Sequence, residues 1–490
     1  MTHPNALLGL AVAAALAGCA VGPDFRSPDA PAAARYTETT LPAQTAATPS
    51  PGGVAQRFVE ADVPAQWWTL FRSEPLDRLV REGLDHSPTL GAAEATLRQA
   101  RENLAAGRGG LLMPSVTGNL TGTREKASRG SPFDLYNASV DVSYALDLAG
   151  GNRRQVEGLT ALADFQRYQF EGARLALTTN IVTTAIREAS LRVQLHATRE
   201  ILAAQQESAR RVQRQYELGG VARLDLVSVQ AQAAQTAATI PPLETALAQT
   251  RHQLAILIGR TPGEAELPAF DIDQLTLPDT LPVSVPSALV RQRPDIQASE
   301  ALLHQASAQV GVATANLYPQ VTLTGSLSGQ SSELHNLLAG PALWSLGAGL
   351  AQPIFRGGQL QAERRAAVAA YDAALAQYRE TVLQAFGNVA DTLRALEGDA
   401  STLQAQAQAE ALAAQRLELT RKQWELGGAS YLALLDAQRQ YALARVAAVS
   451  ARATRYADTA ALFQALGGGW WNDDNREGAI RTAHNQRSEK

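Results

Sequence analysis

After Pro114 the chain alternates. Val116, Gly118, Leu120 and Gly122 fall on one side, and Ser115, Thr117, Asn119 and Thr121 on the other. A period of two belongs to a β-strand, whose successive side chains point to opposite faces. Past the polar loop near Ser128 to Pro132 the alternation resumes, with Val140, Val142, Tyr144, Leu146 and Leu148 against Ser139, Asp141, Ser143 and Asp147. The pattern predicts a hairpin. A second one follows: Val321, Leu323, Gly325 and Leu327 oppose Thr322, Thr324, Ser326 and Ser328, and Leu346, Ala348 and Leu350 come after the loop around Gly340-Pro341. Strands of about ten residues with one apolar and one hydroxyl-rich face match transmembrane β-strands. A half-buried soluble hairpin carries the same alternation.

The flanking segments change the period. Gly151 to Leu218 and Gly358 to Leu426 contain no proline. At about 1.5 Å rise per residue each can form a helix on the order of 100 Å long, too long for the inside of a compact domain. Each ends at a glycine pair, Gly219-Gly220 or Gly427-Gly428, after which a second helix returns toward Gly259 or Gly467. Pro241-Pro242 is expected to interrupt the first returning helix.

The two halves are copies. His86-Ser87-Pro88 parallels Gln292-Arg293-Pro294 at an offset of 206, Pro114 parallels Pro319 at 205, and Gly150-Gly151 parallels Gly357-Gly358 at 207. Tyr216-Glu217-Leu218-Gly219-Gly220 parallels Trp424-Glu425-Leu426-Gly427-Gly428 at 208, as Leu257-Ile258-Gly259 does Ala465-Leu466-Gly467. Five markers in one order signal a tandem duplication. The predicted organisation is a first repeat over 66–262 with its hairpin at about 112–148, an equatorial linker over 263–285, and a second repeat over 286–470 with its hairpin at about 317–354. A tail over 471–490 lacks periodicity and is expected to be disordered.

Composition narrows the function. The chain of 490 residues is 46% hydrophobic and 18% charged, which excludes disorder throughout. Its 43 Lys and Arg against 47 Asp and Glu leave no basic surplus for a nucleic-acid backbone, so no nucleic-acid partner is expected. The histidines show no metal-ligand spacing, and no phosphate-cradling loop or dinucleotide fingerprint occurs. Gly325-Ser326-Leu327-Ser328-Gly329 has leucine where a nucleophile elbow needs serine. No enzyme, no metal and no cofactor are expected.

Residues Ala6 to Ala17 form an apolar run of signal-peptide length. Leu16-Ala17-Gly18-Cys19 behind it resembles the bacterial lipobox, although no Lys or Arg precedes the run. The resemblance implies removal of residues 1–18 and an S-diacylglycerol and N-acyl lipid on Cys19, the only cysteine, with Ala20 favouring release to the outer membrane. A chance cysteine is the plain alternative. Residues 19–65, rich in Pro, Ala and Thr, read as a lipidated, extended tether lying on a surface.

Strands in lipid must close into a barrel, because no backbone group can stay unpaired there. Four strands cannot close, and a barrel of about eight is filled by its side chains. Three chains supply twelve strands, which makes a cyclic homotrimer the attractive solution.

At this point the sequence resembles the TolC-like outer-membrane channels of tripartite efflux pumps, in the lipoprotein (NodT) branch that partners resistance-nodulation-division (RND) transporters. The likeness is carried by Gly18 to Phe25, Trp67-Trp68 with Phe71, Arg293-Pro294-Asp295-Ile296, Leu434 to Arg439 and Ala465 to Trp470. It implies a membrane α+β fold: a trimeric 12-stranded β-barrel with four strands per chain, continued by a long periplasmic α-helical barrel. It further implies a periplasmic adaptor, an inner-membrane RND transporter and outer-membrane lipid as partners, with passive conduction of drugs or other small toxic compounds. An outer-membrane duct for type I protein secretion shares this architecture. A non-channel periplasmic coiled-coil scaffold explains the helices and lipobox but not the paired hairpins.

By the same resemblance, Leu432, Asp436 and Arg439 form the periplasmic aperture. Their spacing of four and three puts them on one helix face. Three copies of Asp436 near an axis make a cation-attracting ring, and Arg439 pairs with acids to lock helices. A solvated Asp-Arg pair has the same spacing. The first repeat has Ser228 and Ala231 there, so an acidic ring depends on the second. Gly219, Gly220, Gly427 and Gly428 are expected at tips that meet the adaptor, or as helix caps alone. Gly150, Gly151, Gly357 and Gly358 mark strand-to-helix bends.

Overall fold

The computed structural model describes residues 20–33, 35–126, 128, 131–337, 339 and 341–472. The expected signal peptide over 1–18, Cys19 and all but the first two residues of the 471–490 tail lie outside the described residues. The chain divides into two units. The first combines the stretch ending at Asp29 with Glu94–Gln169 and Asp295–Thr381; the second combines Ala30–Ala93, Phe170–Pro294 and the chain from Val382 onward.

The first unit is organised by one four-stranded antiparallel sheet. Strands β2 (Ser115–Glu125), β3 (Phe133–Leu146), β5 (Gln320–Ser331) and β6 (Leu343–Ala351) lie in that order. The two expected hairpins therefore join along β3 and β5. The register makes cross-strand rows of one character. Val116, Val142, Gly325 and Leu346 form an apolar row, and Thr117, Asp141, Ser326 and Ser345 the neighbouring polar one. Asp141 accepts from Asn119 at 2.9 Å and Ser139 at 2.8 Å on the polar face. Among the described residues, β2 and β6 have no outer neighbour, so both edges expose unpaired backbone groups.

The repeats agree to the residue in their long helices. Helices α3 (Gly151–Glu217) and α7 (Gln359–Glu425) each have 67 residues, and α4 (Arg223–Leu257) and α8 (Tyr431–Ala465) each have 35. Shorter helices α1 (Glu74–His86) and α2 (Pro88–Leu112) precede β2, and α5 (Pro286–Gln292) and α6 (Pro294–Ala315) precede β5. Pro241-Pro242 does not interrupt α4. Both prolines are exposed, and their missing N–H groups cost two bonds within a long helix, too few to end it. No described helix is long and apolar enough to cross a membrane.

The second unit buries apolar residues at helical spacing, such as Val389, Leu393, Leu396, Ala400 and Leu403 on α7. Trp67 stacks on Phe463 with ring centroids 5.2 Å apart. The expected surface tether is pinned at points between Thr45 and Val63. Gln56 and Val63 are fully buried, and β1 (Arg57–Val59) pairs in parallel with β4 (Thr280–Pro282) of the linker. Two buried ions hold the crossing segments, Arg455 the stretch over 45–54 and Glu188 the linker. Arg455 donates to the carbonyls of Gly52 and Val54 and to Thr45 Oγ1. Glu188 pairs with Arg192 and Arg251 and accepts from Phe270 N, while Arg251 also donates to the linker carbonyls of Leu267 and Pro268. A buried charge survives only when paired and hydrogen-bonded, so each fixes a crossing segment of chain.

Candidate functional site: the hairpin tips and the Asp436 cluster

Helices α3 and α7 end in the same way. Gly219 N–H reaches Tyr216 O at 2.9 Å and Gly220 N–H reaches Gln215 O at 2.7 Å; Gly427 and Gly428 repeat this on Trp424 and Gln423. This double bond set is a Schellman cap, which requires a left-handed residue at its first position. Gly219 and Gly427 supply it with φ of 78° and 75°. Gly220 and Gly428 follow without positive φ, so one glycine of each pair answers the conformational demand. The leucine before each pair is bare: Leu218 is 86% and Leu426 87% exposed.

Beneath the turns lies one apolar cluster drawn from both hairpins: Val212, Leu226, Val229, Tyr431, Leu434 and Leu435. Trp424 packs edge-on to Tyr431 at 5.5 Å, and the Tyr431 hydroxyl lies 2.6 Å from Ser208 Oγ in buried surroundings. Burial pushes the Tyr431 hydroxyl above its ordinary pKa, against the lowering effect of the Ser208 bond. The repeats diverge here, since Leu435 is 7% exposed whereas its counterpart Val227 is 50%.

Helix α8 starts at Ser430, whose hydroxyl caps Ala433 N–H at 3.2 Å. It carries Leu432, Asp436 and Arg439 on its outer side, where Leu432 and Arg439 are exposed and Asp436 half-buried. Asp436 Oδ1 accepts from Arg439 at 3.1 Å, and Oδ2 from Arg416 on α7 at 2.6 Å. The guanidinium bonds of Arg439 and then Arg416 hold its carboxyl below the ordinary aspartate range. Arg439 pairs with Asp436 on its own helix and so locks no second helix, and Asp436 is not a bare carboxylate, because Arg416 on α7 holds its other oxygen. Arg416 stands twenty residues upstream on another helix, and no local spacing marks it.

The bends differ from each other. Gly150 has φ of 78° and Gly151 begins α3 in ordinary helical conformation, whereas Gly357 and Gly358 are both left-handed at 57° and 82°. Asp147 caps α3, accepting from Asn152 and Arg153 N–H at 3.0 and 2.9 Å. Val21 N–H bonds Ala149 O at 3.0 Å, which ties the stretch after Cys19 to this bend. Among the described residues no group of three or more His, Cys, Asp or Glu is placed to hold a metal ion.

The profile of the family described as outer membrane efflux protein matches residues 79–260 and 285–468. The pyoverdine export outer membrane protein OpmQ of Pseudomonas aeruginosa is 31% identical over 430 residues, 85% of this chain and 89% of that protein. The toluene efflux pump outer membrane protein TtgC of Pseudomonas putida is 29% identical over 98% and 99%. The solved structure of the outer-membrane channel OprN, 28% identical, superposes with a TM-score of 0.81 over 92% of this chain and 100% of that one.

Proposed function

The chain belongs to the outer membrane efflux protein family, and from that premise we propose that three copies form a passive duct through which a transporter in the inner membrane empties to the exterior. It is an outer-membrane efflux channel protein with a large periplasmic portion, and not an enzyme. The open sheet edges carry the reading. In lipid the unpaired groups of β2 and β6 need partners, and β6 of one copy against β2 of the next continues the antiparallel order. Three copies give twelve strands, with the apolar row toward lipid and the Thr117–Asp141–Ser326–Ser345 row toward the lumen.

Cys19 carries the acyl lipid in this reading, and the Val21–Ala149 bond holds the following residues beside a strand-to-helix bend. The tips around Gly219, Gly220, Gly427 and Gly428 dock a periplasmic adaptor, whose inner-membrane RND-type partner supplies the energy. Bare Leu218 and Leu426 suit an apolar docking contact, since large exposed apolar groups mark interaction sites. Leu432, Asp436 and Arg439 narrow the resting aperture, and the cargo is small toxic compounds.

Planar-bilayer recording tests the aperture. Asp436→Ala cuts the tie from α8 to Arg416 and should raise resting conductance; a correctly assembled variant with unchanged conductance removes Asp436 from the gate.

A further inference from the structure

A bare carboxylate ring attracts cations, and Asp436 is not bare. Each of its oxygens already accepts from a guanidinium, Arg439 on one side and Arg416 on the other. Every copy therefore brings two cations and one anion to this level, and threefold repetition multiplies the excess of positive charge. Two other carboxylates of the hairpins are likewise paired with cations. Glu418 lies against Arg421 and Lys422, and Glu207 on the first hairpin against Arg210 and Arg211. The chain as a whole has a net charge of -4, so this local sign runs against its overall balance.

We infer that the resting aperture favours anions, with Arg416 and Arg439 as its specificity-determining residues and Asp436 as the group that moderates and positions them. The inference rests on the proposed place of Asp436 at the aperture and reverses the sign expected of a bare aspartate ring. A ring of like charges in a narrow pore selects ions of opposite sign, and the effect weakens as added salt shortens the screening length. The permeant class is a small or organic anion, drawn by guanidinium groups that can fork onto carboxylate or phosphate. The first hairpin repeats neither charge at the matching positions, where Ser228 and Ala231 stand for Asp436 and Arg439.

The test is the reversal potential of the purified full-length channel in a planar bilayer under a potassium chloride gradient at low ionic strength. Wild type should pass chloride several-fold more readily than potassium, and Asp436→Asn should sharpen that preference. Arg416→Gln with Arg439→Gln should invert it, while Arg416→Lys should keep it. Heat-sensitive oligomer migration identifies variants that assemble. A potassium preference in wild type, with the arginine variants still altering conductance, overturns the sign and leaves the aperture in place. Assembled arginine variants with both wild-type conductance and wild-type reversal potential overturn the aperture assignment and the inference with it.

Discussion

Ser208 and Arg416 hold the same place in the two repeats, 208 residues apart, and both side chains bond to helix α8. Ser208 Oγ lies 2.6 Å from the Tyr431 hydroxyl, and Arg416 Nη2 lies 2.6 Å from Asp436 Oδ2. Duplication placed two equivalent positions beside one helix, and divergence gave one a buried neutral bond and the other an exposed ionic one. The buried bond holds the first hairpin to the second, and the exposed one holds the second hairpin to itself.

Tyr431→Phe leaves the buried Ser208 hydroxyl without that partner, at a cost of about 1–2 kcal/mol. The loss should be local. Deuterium exchange is expected to quicken around Ser208 and Tyr431 and stay unchanged in the strands, and equal acceleration in the strands would show that Tyr431 supports the whole chain instead.

Stability should fall as pH rises through the range set by Asp399. Burial first, and then its bond to the Asp458 carboxyl, push the Asp399 carboxyl up to about 7, against the lowering effect of Arg455. In the unfolded chain an aspartate ionises near pH ~4. Between about pH 4 and 7 the unfolded chain releases a proton that the folded one keeps, so folding loses free energy as pH rises. Asp399→Asn removes this slope. Its thermal midpoint should gain on wild type between pH 5 and pH 8, and a constant difference would refute the raised Asp399 carboxyl.

Glu188 is fully buried and holds Arg192, Arg251 and Phe270 N–H together. Glu188→Gln breaks both ion pairs and should destabilise by about 2–4 kcal/mol, less than for a wholly buried pair because the arginines are partly exposed. Circular dichroism melting should show it, along with easier proteolysis near Leu267. An unchanged melt would mean that the linker is held by apolar contacts alone.

Gly150 and Gly219 share a φ of 78° but not their surroundings. A Cβ on Gly219 meets open space, whereas one on Gly150 falls 2.5 Å from the Ala20 backbone. Gly219→Ala should cost about 1 kcal/mol of left-handed strain and leave assembly intact. Gly150→Ala adds a clash with the segment after Cys19 and should lower the amount of protein recovered in outer membranes. Equal recovery of the two variants would show that this contact is dispensable.

The strands were legible because a period of two with hydroxyl-rich alternate positions survives in both repeats, and the long helices because proline is absent until the glycine turns. The union of β3 with β5 was not, since register between distant strands leaves no mark within either one. The Leu432, Asp436 and Arg439 face followed from helical spacing and family likeness. Arg416 escaped because its partner lies across a hairpin, and Glu188 and Arg455 because a buried charge reads like any surface charge until its partners are placed. The strap over residues 45–63 looked like linker for the same reason: Arg455 holds its 45–54 stretch, which no composition reveals.

The most direct measurement is the mass of the complex extracted by detergent from outer-membrane fractions, taken by native mass spectrometry. Three copies, each beginning at an acylated Cys19, are expected. A monomer released without detergent would contradict the closed barrel and the assignment of β2, β3, β5 and β6 to lipid.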